Sequence, residues 1–178
     1  MLAGANTFTG HTTVNGGTLA VMGNGRLYHG APNTTAVVTI NTGATLELDT
    51  WWNADSESLG QLDYAAARMV VNGGTIRMKG ITGHGRGFTI NSGGAIFEAA
   101  AGANWFLHDF ERVSNFIYNG NPTLTFTGAG TGYFWKPITG GCSVVKRGPG
   151  LWCLLGNGST YTGSTTVSAG GLVLSGGL

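Results

Sequence analysis

This sequence is short of charged residues, cysteine and proline. Only 10% of its 178 residues are charged, and it contains 2 cysteines and 4 prolines. Its 9 lysines and arginines form no basic stripe, so we expect no nucleic acid as a partner. No apolar run approaches the length of a membrane-spanning helix, and we expect a chain that does not span a membrane. Because 42% of the residues are hydrophobic, the chain also differs from disordered proteins.

Glycine, in contrast, is abundant, at 33 of 178 residues. It lacks the three-residue period of collagen, and it alternates with threonine, asparagine and apolar β-branched residues. That mixture is typical of short strands joined by tight turns. The length suits one core or one uninterrupted stack of repeats, so we expect a single domain over residues 1–178.

One phrase occurs twice, near opposite ends of the chain. Thr7 to Leu19 and Thr160 to Leu172 are identical at eight of thirteen aligned positions, at an offset of 163 − 10 = 153 residues. Each copy has a β-branched run, a glycine turn and an apolar run, which predicts two strands joined by a corner. We expect the copies to be the same rung at the two ends of one unit. The residues proposed to make end-to-end contacts are Thr13, Val14, Leu19, Thr166, Val167 and Leu172.

The second half of this phrase recurs through the chain. Its anchors are the apolar residues that precede an Asn or Ser, at Val14, Ile40, Val71, Ile90 and Val167, and the first four are spaced by 26, 31 and 19 residues. A period of about 20 to 30 residues is typical of a solenoid, in which equivalent strands of successive coils pair in parallel. The spacing therefore predicts an all-β parallel β-helix (β-solenoid) of about seven coils, with Ile40 above Val14. The asparagines after the anchors either hydrogen-bond locally or stack in a ladder.

Two segments interrupt the pattern and hold most of the unusual side chains. We expect loop insertions near residues 49–68 and 99–116. Flat aromatic rings in them suit the apolar faces of sugars, but we favour the alternative, in which the rings cover a flank of the β-helix. The candidate ligand-binding residues are Trp51, Trp52, Tyr64 and Trp105.

The C-terminal copy of the phrase extends upstream into a longer pattern. Lys146, Gly148 and Gly150 precede it at set intervals. The whole stretch from Val145 to Leu172 resembles the autotransporter-associated β-strand repeat, and the stretch from Ala5 to Leu19 resembles the second half of that repeat.

The resemblance implies a fold and a class of function. It implies a right-handed parallel β-helix in a secreted or surface-displayed bacterial passenger, which acts as an adhesin, spacer or scaffold. Trp152 and Cys153 depart from the small or β-branched residues of the repeat.

Acidic residues and histidines are sparse and give no pattern of metal ligands. Asp109 and Glu111 form a close carboxylate pair, and we expect them on a solvated loop. The 4 histidines lack metal-ligand spacing, and no serine lies in a Gly-x-Ser-x-Gly motif. We therefore expect no metal, no cofactor and no enzymatic activity.

Cys142 and Cys153 flank a turn at Gly148 and Pro149. In a secreted protein such a pair either forms a disulfide, which would add about 2 to 3 kcal/mol of stability, or remains as two buried thiols. A turn centred on Gly148 and Pro149 pairs Cys142 with Leu155 rather than with Cys153. We therefore favour two thiols.

These features predict a structural protein. Neither end of the chain shows a cap, so we expect it to stack end to end as a fibre subunit or to form a segment of a longer repeat passenger. Its partners are then other copies or adjoining repeats, in a secreted protein or on a bacterial cell surface. The alternative is an adhesin or glycan-binding module that uses the aromatic insertions on surface glycans. A carbohydrate-active enzyme fits least, because the carboxylates do not cluster.

Overall fold

A computed structural model of the protein describes residues 1–4, 6–23, 25–27, 36–49, 68–84, 87–107 and 116–175, with only the backbone described at 82–84. Within these ranges the chain consists of strands joined by turns. The strands are β1 (Thr12–Val14), β2 (Gly17–Val21), β3 (Val38–Asn41), β4 (Ala44–Leu48), β5 (Met69–Asn72), β6 (Thr75–Met78), β7 (Ile81–His84), β8 (Phe88–Ile90), β9 (Ala95–Ala99), β10 (Asn104–Leu107), β11 (Phe116–Tyr118), β12 (Thr123–Gly128), β13 (Thr131–Phe134), β14 (Ser143–Lys146), β15 (Leu151–Leu154), β16 (Thr165–Val167) and β17 (Gly171–Leu174). None of the described ranges contains a helix long and apolar enough to cross a membrane.

The strands form three sheets, and every ladder between them is parallel. Sheet 1 has the order β1-β3-β5-β8-β11, sheet 2 the order β2-β4-β6-β9-β12-β14-β16, and sheet 3 the order β7-β10-β13-β15-β17. Neighbouring strands of a sheet are two or three strands apart in the chain, so the chain moves from sheet to sheet as it winds. Sheet 2 contains one strand from each winding of the described chain around the axis, and its seven strands therefore define seven coils. The predicted all-β parallel β-helix is confirmed.

Many of the strands alternate between buried and more exposed residues, as β5, β6, β9 and β14 do. In β3 the apolar Val38 and Ile40 are buried, whereas the residues that follow each of them are partly exposed. Corners between strands use glycines with positive φ, such as Gly43 at 79° and Gly94 at 82°. Ile40 pairs with Val14 in the coil before it, as the spacing predicts.

The core consists of columns, because equivalent residues of successive coils lie above one another. The inward column of sheet 2 is Leu19, Leu46, Ile76, Phe97, Phe126, Lys146 and Val167. In sheet 3, Gly132 lies between Trp105 and Trp152, and a Cβ at Gly132 would come within 2.5 Å of the Trp152 ring. The absence of a side chain at Gly132 therefore gives the indole of Trp152 its space in a close-packed core.

A ladder of asparagine side chains runs along the end of sheet 1. Each Nδ2 donates a hydrogen bond to the Oδ1 of the coil before it, at 2.5 to 2.8 Å. The members are Asn15, Asn41, Asn72, Asn91 and Asn119. Of the two roles predicted for these asparagines, the structure shows the ladder.

The two predicted insertions have different outcomes. Residues 50–67 lie outside the described residues, as do residues 108–115 with Asp109 and Glu111. Asn104–Leu107, however, is the regular strand β10, paired on both sides within sheet 3. Residues 99–107 therefore belong to a coil and not to an insertion, because large aromatic residues here occupy ordinary positions of the strand alternation.

Candidate functional site: the last coil

The last described coil consists of β16 and β17, which carry paired strands on one side only. They pair with β14 and β15, and no strand of the described ranges lies on their other side. Their inward positions are therefore open, with Val167 52% and Leu174 58% exposed. Val14, which β3 covers in the first coil, is only 8% exposed. The last coil thus presents apolar side chains together with two unpaired strand edges.

A buried lysine lies directly beneath Val167. Lys146 occupies the inward column of sheet 2 and is fully buried. Its Nζ donates hydrogen bonds to the carbonyl oxygens of Arg147, Gly148 and Ala169, at 2.6, 2.8 and 3.1 Å. Burial lowers the pKa of the Lys146 ammonium, and the three acceptors replace the water it has lost. Because Ala169 belongs to the last coil, Lys146 connects that coil to the one before it.

The corner between β16 and β17 depends on Gly170. Its φ is 70°, and a Cβ there would contact the carbonyl oxygens of Gly148 and Gly150. Gly17 has a φ of 67° at the equivalent position of the N-terminal phrase. The two copies of the phrase therefore share the same local structure of strand, glycine corner and strand.

The two copies nevertheless lie on different sheets. The six predicted contact residues divide into Thr13 and Val14 on sheet 1, Leu19, Thr166 and Val167 on sheet 2, and Leu172 on sheet 3. Val167 ends the column that begins at Leu19, and Val14 belongs to another column. The expectation that both copies are the same rung is therefore corrected. Because β1 lies on sheet 1 of the first coil and β16 on sheet 2 of the seventh, the offset of 153 residues spans six coils and one face.

Of the predicted ligand-binding residues, only Trp105 lies in the described part of the chain. Trp51, Trp52 and Tyr64 fall outside it. Trp105 is wholly buried, with its ring centroid 5.8 Å from that of Phe97 and 5.6 Å from that of Trp152. A ring enclosed in this way has no face to offer a sugar, so Trp105 is a core residue.

Cys142 and Cys153 are separate, buried thiols. Cys142 directly precedes β14 of sheet 2, whereas Cys153 lies in β15 of sheet 3. Burial raises the pKa of both thiols, so both are uncharged at neutral pH. The structure shows the favoured alternative of two thiols.

Charged side chains form a row of ion pairs on the outer face of sheet 2. Nε of Arg77 lies 2.9 Å from Glu98, and the guanidinium also lies 3.3 Å from Glu47. Lys79 lies 3.5 Å from Glu47. The hydrogen bond with Glu98 is the main cause that raises the pKa of Arg77. These pairs link three successive coils, and within the described ranges no three His, Cys, Asp or Glu side chains gather as a metal site would require.

Sequence analysis did not identify Lys146 as a residue of this site. The feature of the sequence that could have identified Lys146 is its spacing from Val144. Side chains two residues apart in a strand point to the same face, so a strand that buries Val144 also turns Lys146 inward. The apolar pattern alone hides such a lysine, since its charge favours a surface position.

Comparison with known proteins gives one match. The model of the passenger-associated-transport-repeat family matches residues 1–21 and 144–174, which confirms the predicted resemblance to autotransporter-associated repeats. The second matched segment contains Lys146, β16 and β17. No curated protein and no solved structure matches the chain at a significant level. The matched segments make up less than half of the chain, and the described residues within them lie in the first and the last coils of the parallel β-helix.

Proposed function

We propose that this chain is a structural β-helix segment of a secreted or surface-displayed passenger, and that its activity is its shape and its extension by further coils. The observation that carries the proposal is the last coil, where Val167 and Leu174 remain half exposed above buried residues of the preceding coil. Apolar strand edges of this kind attract another strand. In the proposal the last coil is covered by a further coil, from adjoining repeats or from another copy of the chain.

The remaining described surface supports a structural role over a catalytic one. Glu47 and Glu98, two of the acidic side chains, are engaged by Arg77 on the outer face of sheet 2. The interior is filled by columns of packed side chains, among them Phe97 and Phe126, whose rings stack with centroids 5.5 Å apart. A continuous packed column resists bending and unfolding, which is what a spacer or scaffold needs. We therefore propose that the chain has no enzymatic activity.

Sedimentation velocity over a concentration series tests the stacking of separate copies. The parent chain is expected to gain mass with concentration and to form particles that grow only in length. Val167→Lys is expected to stay monomeric, because an inward-facing charge at the joint would be buried without a partner. Thr123→Lys is the matched control, since Thr123 is an exposed threonine of β12, two coils before the last.

A parent chain that is monomeric at the highest concentration, with no elongated particles in electron micrographs, would contradict end-to-end stacking. It would leave adjoining repeats as the cover of the last coil.

A further inference from the structure

The first coil provides a template for what fits on the last. β1 and β2 repeat in β16 and β17 at the same offset of 153 residues, and the corner glycines Gly17 and Gly170 have φ values of 67° and 70°. In the first coil the partner is known, because β3 and β4 cover β1 and β2. The glycine corner and the two apolar residues that receive β3 and β4 there, Val14 and Leu19, thus recur at the last coil as Val167 and Leu172, where they are uncovered. Asn15 and Val21 are replaced by Ser168 and Leu174.

The register of that template is specific. Val14 pairs with Ile40, and Leu19 pairs with Leu46. Shifting the partner by one residue would turn its apolar side chains to the outer face, so the template excludes every register shifted by an odd number of residues. By equivalence, Val167 receives an Ile40-type residue and Leu172 a Leu46-type residue.

The repeated phrase lies on sheets 1 and 2 in the first coil but on sheets 2 and 3 in the last. The pairing expected from the phrase therefore differs from the pairing expected if each sheet simply continued. Sheet 2 carries Leu19 at its first strand and Val167 at its last. If the next coil kept the sheet assignment of β3 and β4, a Leu46-type residue would lie on Val167. The phrase instead places an Ile40-type residue there, with the covering coil moved round by one sheet.

Resting on the proposed structural function, we propose that β16 and β17 form a docking surface for an extended strand pair with the pattern of residues 36–49. In this arrangement the Ile40-type residue lies on Val167 of sheet 2, and the Leu46-type residue lies on Leu172 of sheet 3. The partner is a further β-helix coil, recognised by parallel backbone pairing and by apolar residues on alternate positions.

The test uses the full chain and a synthetic peptide of residues 36–49. Amide hydrogen exchange of the chain is measured with and without the peptide. We expect protection in β16 and β17 and none in β1 and β2. Val167→Lys should weaken peptide binding about 10- to 100-fold, since it removes the burial of one aliphatic side chain. Thr123→Lys, at an exposed position of β12 outside the docking surface, should leave peptide binding unchanged.

Cross-linking determines which residue of the last coil lies against each half of the docked peptide. Two peptides carry a photo-reactive phenylalanine derivative in place of Ile40 or of Leu46, and the labelled sites are mapped by mass spectrometry. The proposal expects the first peptide to label Val167 and the second to label Leu172. Labelling of Val167 by the second peptide, or no protection of the last coil at saturating peptide, would overturn it.

The control peptide has Ile40→Asp and should not bind. Circular dichroism of each chain variant verifies that the β-helix is intact. A folded chain that self-associates but ignores the peptide would overturn the docking proposal alone, because stacking of copies is measured independently by sedimentation.

Discussion

Lys146 shows how one residue changes the chemistry of an otherwise apolar column. It lies in line with Phe126 and Val167, yet its ammonium has three carbonyl acceptors and no contact with water. One of those acceptors is Ala169 in the next coil. A leucine would fill the column as well, but it would leave these carbonyls without a donor. The lysine therefore adds side-chain hydrogen bonds to the backbone ladder between two coils, whereas the apolar side chains Phe126 and Val167 of the same column contribute packing only.

Replacing Lys146 with methionine should lower the free energy of unfolding by about 2 to 4 kcal/mol, because three buried carbonyls lose a charged donor. The change is measured by denaturant unfolding, and amide exchange should accelerate first in β16 and β17. Lys79→Met is the matched control, since Lys79 is exposed and makes one ion pair, at 3.5 Å. Its effect should stay within about 0.5 kcal/mol. Equal effects of the two substitutions would contradict the role given to Lys146.

Coils are aligned by two kinds of ladder, one of backbone and one of side chains. The anchor spacing predicts the first, and the Asn after each anchor allows the second. The sequence predicts both ladders because each depends on a short local pattern, in which an apolar residue, an Asn and a glycine corner follow one another in fixed order. The prediction of an insertion over 99–116 fails for β10, because the aromatic residues Trp105 and Phe106 interrupt the repeat pattern in the sequence but belong to a regular strand. Only the structure shows that Gly132, in the next coil, leaves room for the indoles of Trp105 and Trp152, which meet edge to face.

Members of the asparagine ladder should differ in how much they stabilise the protein, according to how many ladder hydrogen bonds each one makes. Asn72 both donates to Asn41 and accepts from Asn91, whereas Asn15 makes a single ladder bond at the exposed end. Asn72→Ala should destabilise the protein by about 1 to 3 kcal/mol and Asn15→Ala by less than about 1 kcal/mol. Thermal or denaturant unfolding of both variants measures the difference. Equal losses would mean that the ladder contributes no more in its middle than at its end.

The described part of the molecule is a stack of coils, and the repeated phrase lies on sheets 1 and 2 in the first coil but on sheets 2 and 3 in the last. Sequence comparison detects the repeat of 153 residues but cannot assign its face, because coil length varies between 19 and 31 residues over the measured anchors. The sheet that a strand joins depends on the sum of all the connections before it, including those that lie outside the described residues. A sequence offset therefore predicts local structure at both copies, while the position around the axis follows only from the pairing of β16 with β14.

That pairing is tested most directly by backbone nuclear Overhauser contacts in the full chain. Paired residues of parallel strands lie about 4.8 Å apart, within range of the measurement. We predict contacts of Thr13 with Thr39 and of Thr166 with Val145, which place the two copies on sheets 1 and 2. Contacts of Thr166 with a segment other than β14 would contradict the shift by one face, and with it the arrangement proposed for the last coil.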